Sequence, residues 1–385
     1  MSLQGPVRLL ADDLTGALDS AAAFGPGVPV WLDRPDVGGD APPAPVGVVA
    51  TATRDVPQAA LASALDASVG WLAHAGLAFK KVDSLLRGNT LNEVRWLAAA
   101  GRFERVVFAP ALPAQGRYMV DEHLWRGEPG AGAAAAQPVG DGLRSALMTG
   151  HWPAHCPLLI PDARTDADLD RCAAGALTGS GPRTLWCGSA GLAAAIARQR
   201  AASITWAEPP PGAEPAPEVT DSVWVIGASH QPATRRQWAR ARAAHPHAVI
   251  VCHGEQAAWD VACATLAETA VPLALLDLSP LSPLSAVAAA QLLQRQVRQL
   301  VHCARPPARL LVLGGDTARA LAGATGVRQM LAGRPVRPGW GQAQWQGGRW
   351  HGLWMDCRSG AFGDEHDLLA ALQGMRQAHA LPPSG

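Results

Sequence analysis

The chain has 385 residues, with 32 basic and 32 acidic side chains, and this balance gives no electrostatic basis for binding nucleic acid or an anionic membrane. Hydrophobic residues make up 48% of the chain, which is enough for a sizeable core, and the length favours two domains over one. The seven cysteines form no CxxC pair, so neither a disulfide framework nor a zinc site is expected. This cysteine usage indicates a reducing compartment.

The sequence shows no signal for export or membrane insertion. Its first residues lead directly into a strand-like run, so a secretory signal peptide is not expected. The apolar stretch 270–293 is interrupted by one aspartate and three prolines, which makes it a poor membrane span. We therefore expect a cytoplasmic protein with no membrane partner. Its oligomeric state stays open, with a homodimer as the arrangement considered.

The first predicted strand covers residues 7–11 and ends at two adjacent carboxylates, Asp12 and Asp13. From Leu14 to Ala21 the apolar residues recur with helical spacing. The carboxylates thus lie between a buried strand and a helix N-terminus, where ligands bind in open α/β sheets. Asp13 is well placed to cap the helix. Capping needs only one carboxylate, so the pair indicates a second role.

The rest of the first half alternates short apolar runs with helical patterns, which predicts a mostly parallel sheet flanked by helices. Polar side chains follow these runs, and the carboxyl ends of parallel strands share one edge of a sheet. An arginine there could bind a carboxylate, and an aspartate could accept a proton from a hydroxyl. The strand-end residues are Asp12, Asp13, Arg54, Lys81, Asp83, Ser84, Arg87 and Asn89.

Residues 208–218 read EPPPGAEPAPE and contain five prolines. Such a segment forms neither a helix nor a central strand. It predicts a linker between a first domain at 1–207 and a second domain at 219–385. After it, the alternation of strands and helices begins again.

In the second half, glycines follow predicted strands at 314–315 and at 360. Glycine lets the backbone approach a phosphate, whose charge a helix N-terminus favours. Each turn alone is also compatible with an ordinary structural role. The chain has no Walker sequence and no GxGxxG fingerprint, which argues against an NAD-dependent dehydrogenase. Its 12 histidines form no HExxH cluster, so no metal site of that type is expected.

Seven motifs give the chain a resemblance to the four-carbon acid sugar kinase family over nearly its whole length. In order, they are ADDLTGA at 11–17, KVDSLLRGN at 81–89, PALPAQGR at 110–117, DARTDADL at 162–169, GSAGLA at 188–193, GGDTA at 314–318 and RSGAFG at 358–363. Several positions depart from the family's pattern, two of them within these motifs. Leu85 stands in place of a threonine, and Arg358 stands in place of a lysine.

The resemblance implies a two-domain α/β kinase, each domain a mostly parallel sheet flanked by helices, with its active site in the interdomain cleft. The first domain would bind the sugar acid and the second ATP, with Mg²⁺ held largely by the phosphates. The residues implied for the sugar acid are Asp12, Asp13, Arg54, Lys81, Asp83, Ser84, Arg87, Gly88 and Asn89. Those implied for the nucleotide are Ser229, Gly314, Gly315, Asp316, Thr317, Ser359 and Gly360.

The expected reaction transfers the γ-phosphoryl group of ATP to a hydroxyl, preferentially the 4-hydroxyl, of threonate, erythronate or 3-oxo-tetronate. Asp12 is the favoured base, because Asp13 is better placed to cap. Arg54 and Arg87 are expected to hold the substrate carboxylate, and Gly315 is expected to exclude a side chain and to have a positive φ. Because fold does not fix function, a non-catalytic nucleotide- or metabolite-binding regulator or effector is the alternative.

Overall fold

The computed structural model divides the chain into two compact units, Met1–Pro210 and Pro211–Gly385. The predicted linker at 208–218 lies outside the residues that the structure describes. The described residues are 5–33, 44–101, 103–128, 130–175, 182–201, 222–251, 255–268, 271–282, 284–334, 339–360 and 362–377.

The first unit alternates strands and helices, as predicted. Its strands are β1 (Val7–Ala11), β2 (Pro29–Trp31), β3 (Val46–Ala50), β4 (Leu77–Lys81), β5 (Arg105–Ala109), β6 (Arg117–Val120), β7 (His123–Arg126), β8 (Gln137–Pro138), β9 (Leu158–Leu159) and β10 (Thr184–Gly188). Its helices are α1 (Leu14–Ala23), α2 (Gln58–Ala73), α3 (Thr90–Ala100), α4 (Leu143–Met148), α5 (Asp166–Ala174) and α6 (Ala190–Ala201). Short 3₁₀ turns occur at Pro113–Gln115 and Ala133–Ala135.

Seven strands of this unit pair in the order β2-β3-β1-β4-β10-β5-β9, all of them parallel. Every residue of β1, β3 and β4 is buried, as expected for a parallel sheet covered on both faces. The chain leaves β1 for β2 and β3 on one side and then crosses to β4 on the other. This reversal creates a switch point at the carboxyl end of β1, the place where open α/β sheets bind ligands.

A second, antiparallel sheet has the order β6-β7-β8 and lies in the chain between β5 and β9. In its register Arg117 pairs with Arg126 across β6 and β7. The sequence did not predict this sheet, because its strands are only two to four residues long and have no clear alternation.

The second unit repeats the α/β alternation. Its strands are β11 (Val223–Gly227), β12 (Val249–Val251), β13 (Leu273–Asp277), β14 (Arg309–Leu313), β15 (Gln329–Ala332), β16 (Trp340–Gln346) and β17 (Trp354–Arg358). Its helices are α7 (Pro232–Ala244), α8 (Gln256–Glu268), α9 (Ala286–Cys303), α10 (Gly315–Thr325) and α11 (Asp367–Gln377). A 3₁₀ turn lies at Pro246–Ala248.

These strands pair in the order β12-β13-β11-β14-β17-β16-β15. The first five are parallel, whereas β16 runs antiparallel to both β15 and β17. The mostly parallel α/β architecture is therefore confirmed in both units. Here the order reverses at β11, so the carboxyl ends of β11 and β14 form a second switch point. In the described part of the chain, none of the helices combines the length and apolarity needed to cross a membrane.

Candidate active site

Asp13 caps α1, as its position in the sequence predicts. Its Oδ1 accepts a hydrogen bond from the backbone N–H of Gly16 at 3.0 Å, and its Oδ2 accepts one from the hydroxyl of Thr15. These bonds satisfy a donor that the first turn of the helix leaves open. Asp13 is therefore engaged with its own helix.

Asp12 lies one residue earlier and is 1% exposed. Its Oδ2 accepts a hydrogen bond from Nε of Arg54 at 2.7 Å, while its buried Oδ1 has no hydrogen-bond partner among the residues that the structure describes. Burial raises the pKa of this carboxyl, but the charges of Lys80, Arg54 and Lys81 outweigh burial and hold that pKa below its usual range. Asp12 is thus an ionised carboxylate with one oxygen available to a ligand.

Arg54 follows β3 and joins the ends of three neighbouring strands. Besides its bond to Asp12, its Nη2 lies 2.9 Å from Oδ1 of Asp13 and 3.6 Å from Oδ2 of Asp83. Burial lowers its pKa, but the surrounding carboxylates raise it more, so the guanidinium stays charged. Two of its three nitrogens are engaged with protein carboxylates, which makes Arg54 an organising residue for the site.

Asp83 organises the loop that follows β4. Its Oδ1 accepts hydrogen bonds from the backbone N–H of Leu85 at 2.9 Å and from Nε of Arg87 at 3.0 Å, and its Oδ2 lies 2.5 Å from Nη2 of Arg87. Burial raises the pKa of Asp83, but the hydrogen bonds from Arg87 and the charge of Arg54 hold it well below its usual range. The bidentate pair fixes the Arg87 fork in place.

Gly88 and Asn89 connect this loop to the one after β3. Gly88 has a φ of +66°, and a Cβ there would stand 2.3 Å from the carbonyl oxygen of Arg54. The amide Nδ2 of Asn89 donates to the carbonyls of Thr53 at 2.9 Å and Val56 at 2.6 Å. Both residues therefore position the site through the backbone.

Lys81 stands at the end of β4, beside the first turn of α1. It is 6% exposed, and its Nζ donates to the carbonyl of Val82 at 3.0 Å. A Cβ added at Gly16 would lie 2.6 Å from both Lys81 Nζ and Asp13 Oδ1, so a cation and a carboxylate flank this glycine. Ser84 is half-buried in the same loop.

The sequence did not single out several charged groups at this edge. Lys80 and Glu93 form a fully buried pair, with Nζ and Oε2 2.5 Å apart, and the strand-face alternation that separates Lys80 from Lys81 could have pointed to it. Burial raises the pKa of Asp19 on α1, an effect that Lys81 opposes. Arg117 belongs to the 110–117 motif and is also within electrostatic reach of Asp83.

At the switch point of the second unit, Gly314 caps α10 with a φ of +118° and without a side-chain hydrogen bond. The first N–H groups of the helix therefore remain available to an anion. The prediction of a positive φ at Gly315 is wrong: Gly315 is the first residue of the helix and the left-handed conformation falls on Gly314. Asp316 and Thr317 follow in the first turn.

Ser229 and Gly360 lie together at the same edge, after β11 and β17. A Cβ at Gly360 would stand 2.3 Å from Oγ of Ser229, so the backbone approaches closely there. Thr234 donates its hydroxyl to the carbonyl of Gly360 at 2.5 Å, and Ser359 is half-buried beside it. The structure thus brings together the serine and the glycine that the sequence assigned to the nucleotide.

Arg358, where the family has lysine, is completely buried. Its Nη1 donates to the carbonyls of Ser359 at 2.7 Å and Phe362 at 3.0 Å, and its Nε lies 3.4 Å from a carboxylate oxygen of Asp367. Burial lowers its pKa to about 10. The guanidinium stabilises the turn after β17 from inside the unit and does not face the open edge.

Among the residues that the structure describes, no group of three or more His, Cys, Asp or Glu is arranged to hold a metal ion. At the second edge, the groups suited to an anion are backbone N–H groups and hydroxyls. At the first edge, they are charged side chains fixed by ion pairs.

Comparisons with known proteins agree with this division. Residues 7–139 match a family described as a sugar-binding N-terminal domain, and residues 224–368 match a nucleotide-binding C-terminal domain. The D-threonate kinase of Bordetella bronchiseptica is 31% identical over 411 residues, covering 97% of this chain and 98% of that relative. The D-threonate kinase of Cupriavidus necator is 28% identical over 418 residues, with the same coverage.

A solved structure from Salmonella typhimurium superimposes with a TM-score of 0.69 at 19% identity, covering 96% of this chain and 99% of that one. This likeness supports the fold alone.

Proposed function

Because the chain belongs to the four-carbon acid sugar kinase family, we propose that it transfers the γ-phosphoryl group of ATP to a hydroxyl of a four-carbon sugar acid. Two relatives that align with nearly the whole chain are D-threonate kinases, so D-threonate is the first substrate of this proposal. Erythronate and 3-oxo-tetronate are the next candidates. The acceptor is the 4-hydroxyl, which in a tetronate is a primary alcohol and lies farthest from the carboxylate.

The observation that carries the proposal is the unpartnered Oδ1 of Asp12. A buried acceptor without a donor is unfavourable, and a substrate hydroxyl would satisfy it. The lowered pKa keeps Asp12 ionised and makes it a weak base. Phosphoryl transfer depends mostly on positioning and charge stabilisation, so a weak base suffices to orient the hydroxyl and accept its proton.

For the nucleotide, the proposal places the phosphates at the turn from Gly314 to Thr317, with Ser229, Ser359 and Gly360 beside them. The open N-terminus of α10 and the close backbone approach at Gly360 support this placement. Mg²⁺ would arrive on the phosphates and neutralise charge as the phosphoryl group moves. Relatives that carry kinase names do not favour the alternative of a non-catalytic binding protein.

A coupled assay of ADP release tests the proposal. Purified protein is given ATP, Mg²⁺ and, one at a time, D-threonate, L-threonate, D-erythronate and 3-oxo-tetronate. We expect sugar-acid-dependent ADP release above the ATPase background, and phosphorus NMR of the product should show a phosphate on the 4-hydroxyl. If no acid in the panel raises ADP release, the kinase proposal fails.

A further inference from the structure

Two arginines face each other in the small antiparallel sheet. Arg117 on β6 and Arg126 on β7 are directly paired across the strands. Like charges directly opposite each other destabilise a sheet. In the described part of the chain, no carboxylate lies within ion-pair distance of either guanidinium, so neither arginine forms an ion pair there.

The hydrogen bonds of Arg117 are incomplete. Its Nη1 donates to the backbone carbonyl of Gln115 and, at 3.0 Å, to Oε1 of the same residue, while its buried Nε has no partner within the described part of the chain. A buried donor without an acceptor is unfavourable. Burial lowers the pKa of Arg117, and the positive charge of Arg126 lowers it further. These features are typical of a cation that lacks its anion.

The backbone fixes Arg117 at the same sheet edge as Asp12 and Asp83. Its N–H and carbonyl exchange hydrogen bonds with Leu112, 3.1 and 2.9 Å long, in the loop at the carboxyl end of β5. Gly116 precedes it with a φ of +69°, in a conformation that favours glycine. The charge of Asp83 raises the pKa of Arg117, and the charge of Arg87 lowers it. The guanidinium of Arg117 therefore lies near the loop that carries both residues.

The charges already present at the edge balance one another. Three carboxylates stand beside three cations, and the arginines among them are ion-paired. These residues are Asp12, Asp13, Asp83, Arg54, Lys81 and Arg87. A sugar acid brings a further negative charge, which needs a further cation.

We propose that Arg117, assisted by Arg126, binds the carboxylate of the sugar acid, while Arg54 and Arg87 mainly hold the aspartates in place. This inference rests on the proposed function, since it names the group that would recognise that substrate. It gives the 110–117 motif a role in binding the substrate, because the proposed chemical step uses none of its residues.

The test compares D-threonate with D-threitol, the neutral polyol of the same configuration, by calorimetry and steady-state kinetics. In Arg117→Met we expect the preference for the acid to fall by roughly 10- to 150-fold, because a charged hydrogen bond contributes about 1.5–3 kcal/mol. The KM for ATP and the binding of D-threitol should not change. Arg105→Met is the matched control, because Arg105 lies at the amino end of β5 and bonds to Thr184.

Thermal unfolding separates ligand binding from a structural role. If Arg117 serves the ligand, unliganded Arg117→Met should melt no lower than the wild type, since a like-charge pair is relieved, but D-threonate should no longer raise its Tm. Arg117→Lys should restore part of the preference for the acid, because it keeps the charge and loses the planar fork. A lower unliganded Tm with an unchanged acid preference would overturn the inference.

The two proposals fail in distinguishable ways. Wild-type protein that turns over D-threonate, with an unchanged KM in Arg117→Met, overturns the inference and leaves the kinase intact. Wild-type protein that binds D-threonate without turnover overturns the kinase proposal, and the calorimetric comparison still tests Arg117. Protein that binds no sugar acid overturns both.

Discussion

The two units have the same kind of switch point, but different chemical groups line it. In the first unit, the edge is made of side-chain ion pairs centred on Arg54, with Asp12 fixed beneath it. In the second, it is made of backbone and hydroxyl groups around Gly314 and Gly360, and Arg358, which precedes this turn, is completely buried. The same kind of parallel scaffold thus carries two differently lined edges.

The difference fits what each of the two proposed ligands requires. A small polyhydroxy acid is distinguished by the positions of its hydroxyls and its charge, which calls for side chains held in fixed directions. A phosphate chain presents oxygens on all sides, and close backbone N–H groups suit it whatever the neighbouring side chains are. Four variants can test whether the first unit binds the sugar acid through side chains and the second binds the nucleotide through its backbone.

The largest effect is expected at Asp12. Asp12→Asn keeps the shape and removes the negative charge, so kcat should fall by roughly 10²- to 10⁴-fold, as is usual when a general base is lost. ATP binding, measured by calorimetry, should stay unchanged. Asp13→Asn is the comparison variant, because asparagine keeps the helix cap and removes only the charge that pairs with Arg54. Normal turnover in Asp12→Asn together with a collapse in Asp13→Asn would reverse the assignment of the base.

Loss of the central cation of the first edge should cost stability. Arg54→Met leaves largely buried carboxylates without their partner, which typically costs about 3–5 kcal/mol. Chemical denaturation should show the loss, and ATP should still bind to the folded protein. Arg309→Met breaks a buried pair with Asp356 in the second unit and serves as the matched variant. A loss below about 1 kcal/mol in Arg54→Met, the range of surface pairs, would show that Arg54 does not organise the site.

At the second edge, a single methyl group should weaken nucleotide binding. Gly314→Ala puts a side chain on a φ of +118°, a strain of about 1–3 kcal/mol that the free turn should relieve by shifting. Binding must then restore the turn, so ATP affinity should fall roughly 5- to 150-fold. D-threonate binding should not change. Gly323→Ala lies on the same helix in open space and should leave ATP binding intact. Equal ATP affinities in the two variants would place the phosphates elsewhere.

The smallest expected effect is on the stability of the folded protein at acidic pH. The pKa values of Asp12 and Asp83 are lowered in the folded protein, so their contribution is fully present above about pH 4, the ordinary aspartate pKa, and is lost as the pH falls below it. Asp83→Asn should therefore flatten the dependence of unfolding free energy on pH in this range, by at most about 1.4 kcal/mol per pH unit. An unchanged slope, measured by urea denaturation between about pH 4 and about pH 2.5, would mean that Asp83 gains nothing from its arginines.

The sequence predicted the parallel sheets and the cap at Asp13 because these follow from local patterns: apolar runs, helical spacing and a polar residue before a helix. It could not tell Gly314 from Gly315, since the turn fixes φ only when the chain is folded. It also could not show that Asn89 connects two loops or that Arg358 points inward. Side-chain directions depend on neighbours that are distant in the chain.

The small sheet β6-β7-β8 has a consequence for how substrate range can evolve. Within the described residues its strands pair only with one another, apart from single bridges at Leu112 and Ala163. Insertions or deletions in its turns therefore leave the register of the parallel sheet unchanged. Since Arg117 and Arg126 both lie on it, the proposed recognition of the acid can change under selection while the turns proposed for the phosphates stay constant. Lineages that acquire new acceptors should diverge first in residues 117–138.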